Sequence, residues 1–222
     1  MRYKCTFIAG LAAMSALTLP VSAAVIADYD FDAASKASSD TELNSTATFA
    51  PNPNQTDVGT TASTGGVAFI RASATGNDLA AALADTDVFT VTITANSGFV
   101  FNLTSLTFDY GGSSDVANLT TNAVIHSGGS TVFNEAFNVG IATVGAGGNF
   151  DTGNSADLSG AAFQGISSAT FTFAMFDNTN SGSSTNRWDN IVINGAVVAV
   201  PEPSSAALLG LGGLALILRR RK

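Results

Sequence analysis

Apolar and polar side chains alternate along several short segments of this chain, and the alternation restricts its fold to one built from β-strands. In the segment 88–94, Phe89, Val91 and Ile93 fall on one face and three threonines on the other. The segments 106–110 and 169–175 repeat this pattern. Because successive side chains of a strand point to opposite faces of its sheet, each segment predicts a strand with one buried face.

Turn-forming residues separate the predicted strands. The sequence Ser-Gly-Gly-Ser at 127–130 lies between two apolar segments and predicts a β-hairpin. Further strands are expected at 25–31, 67–72 and 191–198. The interval 35–66 is expected to be rich in loops, and 77–84 to contain one short helical turn. Roughly eight to ten strands predict an all-β chain with a single β-sandwich of jelly-roll type.

The N-terminus has the features of a secretory signal peptide. Arg2 and Lys4 precede an apolar segment at 5–19, and small residues follow it, so cleavage is expected between Ala23 and Ala24. The alternative is an uncleaved N-terminal anchor. The single cysteine lies in this segment, so the mature chain is expected to contain no disulfide and to depend on its apolar core.

The C-terminus combines a short motif, an apolar stretch and a basic end. Pro201, Glu202 and Pro203 precede thirteen residues, 206–218, that are only Ala, Leu, Ile and Gly. As a helix these span roughly 20 Å, less than the roughly 30 Å of a bilayer core. Two serines and the long basic side chains extend the segment, which predicts a transmembrane helix over about 204–218. The four basic residues of the predicted stop-transfer signal are Arg219, Arg220, Arg221 and Lys222.

Three regions therefore follow from the sequence: a signal peptide at 1–23, a β-sandwich ectodomain at 24–200, and a sorting tail at 201–222. The basic end places the C-terminus in the cytoplasm while the helix spans the membrane. The alternative for the apolar stretch is a buried C-terminal helix of a soluble domain.

Charge is distributed unevenly among these regions. Three basic and sixteen acidic side chains between residues 24 and 200 leave the ectodomain a net charge of about −13. Phosphate groups would be repelled, so nucleic acid is not expected as a partner. Such acidity is suited to divalent cations, or to solubility alone.

No residue pattern in the ectodomain indicates catalysis, and the chain is predicted not to be an enzyme. His126 is the only histidine, so a histidine-based metal site is excluded and a Ser-His-Asp triad would depend on this one residue. It falls in a predicted strand beside a Gly-Gly turn. Composition does not exclude a pair of carboxylates for glycoside hydrolysis, but Glu42 and Glu135 are the only glutamates of the ectodomain, and its aspartates mostly fall in turns, where they favour local backbone hydrogen bonds.

Two parts of the chain resemble known families. The sequence Val200-Pro201-Glu202-Pro203, the apolar stretch and the terminal arginines resemble the PEP-CTERM sorting signal of exported bacterial proteins. This resemblance implies recognition by an exosortase, a transpeptidase-like membrane enzyme that cuts near the motif and transfers the protein to the cell surface. The same tail is also known as the ice-binding-protein C-terminal domain, a name that describes the tail alone.

The end of the ectodomain resembles the last hairpin of jelly-roll modules similar to lectins and carbohydrate-binding modules. The resemblance is carried by 173–177 and by Arg187-Trp188-Asp189-Asn190-Ile191. It implies that the last strand pairs with the first, which would bring Asp30 or Asp32 towards Asp189. Such modules often hold a structural calcium ion in this region. Solvated turn acids are the alternative.

The expected function is that of an exported, exosortase-sorted protein of the cell surface or extracellular matrix, non-enzymatic and associated with extracellular polysaccharide. Its partners would be exosortase, the membrane through its C-terminal helix, and polysaccharide. A specific carbohydrate-binding module is the first alternative, and a secreted carboxylate-dependent hydrolase is the second. A structural calcium ion is the one cofactor considered.

Overall fold

The structure is a computed structural model, and it describes most of the predicted ectodomain. The described residues are 23–51, 56–61, 65–72, 78–84, 88–114, 120–138, 149–177, 184–200 and 219. The predicted signal helix and the predicted transmembrane helix lie outside these ranges. Among the described residues, no helix has the length and apolar character needed to cross a membrane.

The described residues form strands and very little helix. A six-residue helix, α1, covers Leu79–Ala84, and short 3-10 helices cover Asp32–Ala34 and Ala161–Phe163. The strands are β1 (Ala24–Tyr29), β2 (Asp40–Thr41), β3 (Ser45–Pro51), β4 (Thr56–Thr61), β5 (Gly65–Ala72), β6 (Val88–Ala95), β7 (Phe99–Ser114), β8 (Thr120–Ser127), β9 (Ser130–Asn138), β10 (Asn149–Asp157), β11 (Gln164–Ile166), β12 (Ser168–Asp177) and β13 (Ser184–Ala199).

These strands pair into two antiparallel sheets, which confirms the predicted all-β sandwich. The first sheet has the order β10-β7-β13-β1-β2, with β11 beside β7, β5 beside β13 and β4 beside β5. The second sheet has the order β3-β6-β12-β8-β9. The first and last strands pair as expected, from Ala24 opposite Gly195 to Tyr29 opposite Ile191. The predicted hairpin is formed by β8 and β9.

The core lies between the sheets and is rich in aromatic rings. Trp188 of β13 is fully buried and contacts rings from both sheets. Its ring centroid lies 5.1 Å from that of Phe173 on β12 and 5.5 Å from that of Phe108 on β7. Phe89, Val91 and Ile93 are all buried, as their alternation predicts. Aromatic packing of this kind holds the sheets together without any disulfide.

Two sequence expectations fail locally. The interval 35–66, predicted to be loop-rich, contains β2, β3 and β4. The alternation in β3 is made of Thr, Ala and a single Phe, and so few large apolar residues gave a weak signal for a strand. The first strand was expected to cover 25–31. Instead β1 ends at Tyr29 and Phe31 adopts a left-handed backbone with φ 53°, so the strand does not extend to Asp32.

Helix α1 packs on the outer surface of the second sheet. Ala82 of α1 is buried against Val124, Ala174 and Phe176, which form a small separate apolar cluster. The backbone of Ala81 donates to the carboxylate of Asp78 at 2.8 Å, so this aspartate caps the helix start. The helix therefore covers one end of this surface and leaves the rest of it to polar side chains.

Candidate functional site

The last strand ends directly at the predicted sorting motif. The Val200 backbone N–H donates to the carbonyl oxygen of Gly98 at 2.8 Å, and Pro201 follows. Ala24, the predicted mature N-terminus, lies opposite Gly195 on the neighbouring strand. Val200 lies five positions along the chain from Gly195, which corresponds to roughly 17 Å of extended chain. The predicted signal-peptide cleavage site and the predicted sorting motif therefore lie towards the same end of the sandwich.

The structure describes only one residue of the predicted tail. Arg219 is exposed. The remaining predicted tail residues lie outside the described ranges: Pro201, Glu202, Pro203, Arg220, Arg221 and Lys222.

Asp109 in the middle of the first sheet bridges two backbone irregularities. The pairing of β7 shifts register against β10 between Asp151 and Asn154, and against β13 between Asp189 and Val192. The Asp109 carboxylate accepts from the Gly153 N–H at 2.7 Å and from the Asn190 side-chain amide at 2.7 Å. Gly153 and Asn190 both have positive φ, 76° and 49°. The carboxylate thus provides acceptors for groups that the regular ladder leaves unpaired.

Asp189 lies in register with Asp109 across β13 and β7. Only 6% of its surface is exposed, and its carboxylate accepts from the Asn190 backbone N–H at 2.8 Å. The pKa of Asp189 is raised to about 6, mainly by burial; the Asn190 hydrogen bond acts to lower it, and the negative charges of Asp109, Asp32 and Asp30 act to raise it. The structure therefore brings the three predicted acids into one electrostatic environment and adds Asp109, which sequence reasoning missed.

This acidic cluster does not form a compact metal-ligand set. Asp30 accepts from the Asp32 backbone N–H at 3.0 Å, which is a local turn contact. Within the described ranges, no group of three or more acidic, histidine or cysteine side chains lies at metal-binding spacing. The calcium ion predicted at Asp30, Asp32 and Asp189 stays a prediction.

A second pair of carboxylates lies where the two sheets meet at their edges. Glu135 of β9 and Asp151 of β10 are exposed, and each has an oxygen 3.3 Å from the hydroxyl of the buried Tyr110. Burial, and then the two carboxylates, raise the pKa of Tyr110 above its ordinary value. Both carboxylates contact the same hydroxyl and therefore lie close to each other, and a pair of neighbouring carboxylates is the arrangement that glycosidases use.

Hydroxyl-bearing side chains cover the outer surface of three adjacent strands in the second sheet. We call this surface the threonine face; its residues are Thr46 and Thr48 of β3, Thr90, Thr92 and Thr94 of β6, and Ser168, Thr170 and Thr172 of β12. Pairing aligns them into rows across the strands; in one row, Thr92 of β6 lies between Thr48 of β3 and Thr170 of β12. The hydroxyl oxygens of Thr92 and Thr170 lie 3.0 Å apart. None of these eight side chains is ionisable.

A cavity of about 320 Å³ adjoins the threonine face. We call it the turn pocket, because the β8–β9 turn forms one wall and the 3-10 helix at Ala161–Phe163 another. Its lining includes the apolar residues Phe163 and Ile166 and four residues that carry hydroxyl groups, Ser127, Ser130, Ser168 and Thr170. Ser168 and Thr170 belong to both the pocket and the face, so the two surfaces are continuous.

His126 lies on β8 in register with Thr172, at the side of the threonine face. It is half-buried, and its Nδ1 is buried without a hydrogen-bond partner among the described atoms.

Comparison with known proteins gives a match at the tail and distant likenesses of the sandwich. Residues 199–222 match the PEP-CTERM protein-sorting motif. No curated protein matches the chain in sequence. Among solved structures, an arabinose-bound MgGH51 α-L-arabinofuranosidase is similar over 77% of this chain, at 8% identity and TM-score 0.41, and the chain spans 27% of that enzyme.

Two carbohydrate-binding modules are similar over most of their own length. One, described by its specific mannan recognition, is 12% identical over 79% of this chain and 99% of its own, with TM-score 0.40. The other, the family 11 module of cellulase Lic26A-Cel5E of Clostridium thermocellum, is 13% identical over 79% of this chain and 96% of its own, with TM-score 0.33.

Proposed function

We propose that this chain is an exported envelope protein, sorted by an exosortase, whose β-sandwich is held outside the cytoplasmic membrane and associates with extracellular polysaccharide. One observation carries the proposal: the sorting motif matched at 199–222 begins at the last residue of β13. The sandwich therefore passes without a spacer into the sorting signal, and the exported cargo is the sandwich itself.

Charge supports this placement. With a net charge of about −13, the ectodomain would be repelled by nucleic acid and by anionic lipid. The tail is then the expected membrane attachment after signal cleavage, and the basic residues 219–222 hold the C-terminus on the cytoplasmic side.

Cell fractionation tests the sorting proposal. Wild-type protein is expected in the envelope fraction, and a chain lacking residues 206–222 is expected in the medium, in soluble form and beginning at Ala24. Replacing residues 219–222 by uncharged residues is a matched control, because it keeps the apolar stretch and removes only the stop-transfer charge. Retention of the tail-deleted chain in membranes would indicate a second anchor and contradict the proposal.

A cosedimentation assay tests the polysaccharide proposal. Envelope protein should sediment with the extracellular polysaccharide of the expressing cells and should be released when the polysaccharide is digested. A chain that stays in the supernatant at every polysaccharide concentration would contradict association while leaving the sorting proposal intact.

A specific carbohydrate-binding module is the second candidate. The uncharged threonine face and turn pocket favour it, because hydroxyl groups both donate and accept hydrogen bonds and so complement sugar hydroxyls. Selective binding to a small set of glycans on an array would support specific recognition, and equal weak binding to all of them would support general matrix association.

The carboxylate pair Glu135 and Asp151 is the observation that keeps a hydrolase as the third candidate. Hydrolysis that is abolished by both Glu135→Gln and Asp151→Asn would support it. Activity unaffected by these substitutions, or absent from wild-type protein, would remove this candidate.

A further inference from the structure

We propose that the turn pocket binds one uncharged sugar ring of a polysaccharide chain and that the threonine face supports the rings that follow. This inference rests on the proposed polysaccharide association and adds to it a binding site and a ligand class.

Size restricts the ligand of the turn pocket. Its volume of about 320 Å³ lies at the lower limit of the roughly 300–1,000 Å³ typical of small-molecule pockets. Such a cavity accommodates one ring, whereas a longer oligosaccharide must extend beyond it. Because Ser168 and Thr170 line the pocket and also belong to the threonine face, a chain that leaves on this side continues over the rows of hydroxyl groups.

The side chains that line the pocket are chemically complementary to a sugar ring. Phe163 and Ile166 supply apolar surface, which matches the C–H face of a pyranose. Four of the lining residues carry a hydroxyl group, and these hydroxyls are the polar contacts that the proposal assigns to the ligand. Each hydroxyl has one donor and two acceptor positions, so Thr170, which is engaged with Thr92 at 3.0 Å, keeps further hydrogen-bonding capacity for a ligand.

The charge of the pocket and of the ectodomain favours uncharged sugars over anionic ones. No side chain of the pocket lining is ionisable, so a uronate or a sugar phosphate would find no cation there. The net charge of about −13 on the ectodomain adds long-range repulsion of anions. The geometry therefore points to a neutral polysaccharide.

The pocket walls are held in place before any ligand arrives. The Phe163 ring stacks on the fully buried Phe171 ring, with centroids 6.1 Å apart and planes at 18°. Gly128 and Gly129 in the β8–β9 turn have φ of 58° and 83°, a pair of positive values typical of tight hairpin turns and accessible to glycine at little cost. Such rigidity reduces the entropy lost on binding.

The test compares oligosaccharide binding by matched variants. Full-length protein in a zwitterionic detergent, which has no sugar headgroup, is titrated calorimetrically with cellopentaose, mannopentaose and oligogalacturonate. Thr170→Val keeps the side-chain shape and removes the hydroxyl of one lining residue. Thr104→Val is its control, because Thr104 is an exposed strand threonine on β7 of the other sheet.

We expect at least one neutral pentasaccharide to bind and oligogalacturonate to bind at least tenfold more weakly. Thr170→Val should weaken the binding of the neutral pentasaccharide about three- to tenfold, which corresponds to the loss of one hydrogen bond. Thr104→Val should bind like wild type. Phe163→Ala should weaken binding further. Because Phe163 packs on Phe171, a melting curve must show that the Phe163→Ala variant is folded. If it unfolds, the result for Thr170→Val alone tests the pocket.

Three results would overturn the inference: no binding of either neutral pentasaccharide at millimolar concentration, equal binding of oligogalacturonate, or equal effects of Thr170→Val and Thr104→Val. The cosedimentation assay separates this failure from failure of the proposed function. Cosedimentation that persists unchanged in Thr170→Val refutes the pocket alone, whereas loss of cosedimentation in wild-type protein refutes polysaccharide association itself.

Discussion

Replacing Asp189 by Asn should stabilise the fold at neutral pH, because Asp189 holds an unfavourable charge. The side chain is almost completely buried, lies opposite Asp109 and is also near Asp30 and Asp32. Burial is the main reason that its pKa rises from 3.8 to about 6. An asparagine at this position keeps an oxygen that can accept the Asn190 N–H and removes the charge.

The sign and size of the effect follow from the pKa shift. Because the folded-state pKa of Asp189 is raised, the folded protein binds a proton more tightly than the unfolded chain. This side chain therefore adds stability as the pH falls through about 6, and its full penalty applies above that pH. A rise from 3.8 to about 6 corresponds to about 3 kcal/mol at 1.36 kcal/mol per pKa unit, or roughly 6–12 °C in Tm for a domain of this size.

Thermal unfolding measured from pH 4 to pH 8 in EDTA is the assay. The difference in stability between Asp189→Asn and wild type should be largest above pH 6 and should shrink towards pH 4. Asp157→Asn is the control, because Asp157 is exposed and hydrogen bonds from Ser159 lower its pKa, so its removal should not stabilise the fold. If the two variants have the same pH profile, or if Asp189→Asn is destabilised in EDTA, the account of Asp189 as a buried unfavourable charge is wrong.

Three further predictions concern calcium, backbone packing and the tail. If Asp30, Asp32 and Asp189 bind calcium, millimolar Ca²⁺ should raise Tm beyond NaCl of equal ionic strength, and Asp189→Ala should abolish the difference. Gly195→Ala should cost about 1–3 kcal/mol in chemical denaturation, because its Cβ would lie 2.6 Å from the Asn102 carbonyl oxygen, whereas Gly160→Ala meets no atom within 4 Å and should be nearly neutral. Because the sandwich adjoins the sorting motif, we expect it to hinder exosortase, so a six-residue Gly/Ser insertion after Val200 should speed tail removal in a pulse–chase experiment. An unchanged rate would indicate that the sandwich does not hinder exosortase.

Alternation of apolar and polar residues was sufficient to predict the main strands and the two-sheet architecture. Phe89, Val91 and Ile93 are buried as their spacing requires, because one buried face of a strand fixes its side-chain period. The pairing of β1 with β13 followed from resemblance to jelly-roll modules. The strands within 35–66 were missed, since Thr, Ala and Gly strands carry little apolar contrast.

The candidate sites were less predictable, because they depend on contacts between residues far apart in the chain. Asp109 is an outward residue in an alternating segment, and nothing in its neighbours indicates that it bonds to Gly153 and Asn190. The turn pocket combines a turn at 127–130 with a helix at 161–163. A Thr-x-Thr pattern in 46–48, 90–94 and 170–172 was the available signal for the threonine face, but only strand order brings the three segments together.

The outer faces of the two sheets differ in charge, and the regularity of the backbone accounts for the difference. In the first sheet, β7 loses register against both of its long neighbours beside Asp109, and the Asp109 carboxylate accepts from a backbone N–H and a side-chain amide there. In the second sheet, β3, β6 and β12 pair without a register shift. Their backbone groups satisfy one another, so the side chains above them can remain uncharged and evenly spaced. Regular pairing therefore accompanies the threonine face, the surface that we propose as the support for a neutral polysaccharide.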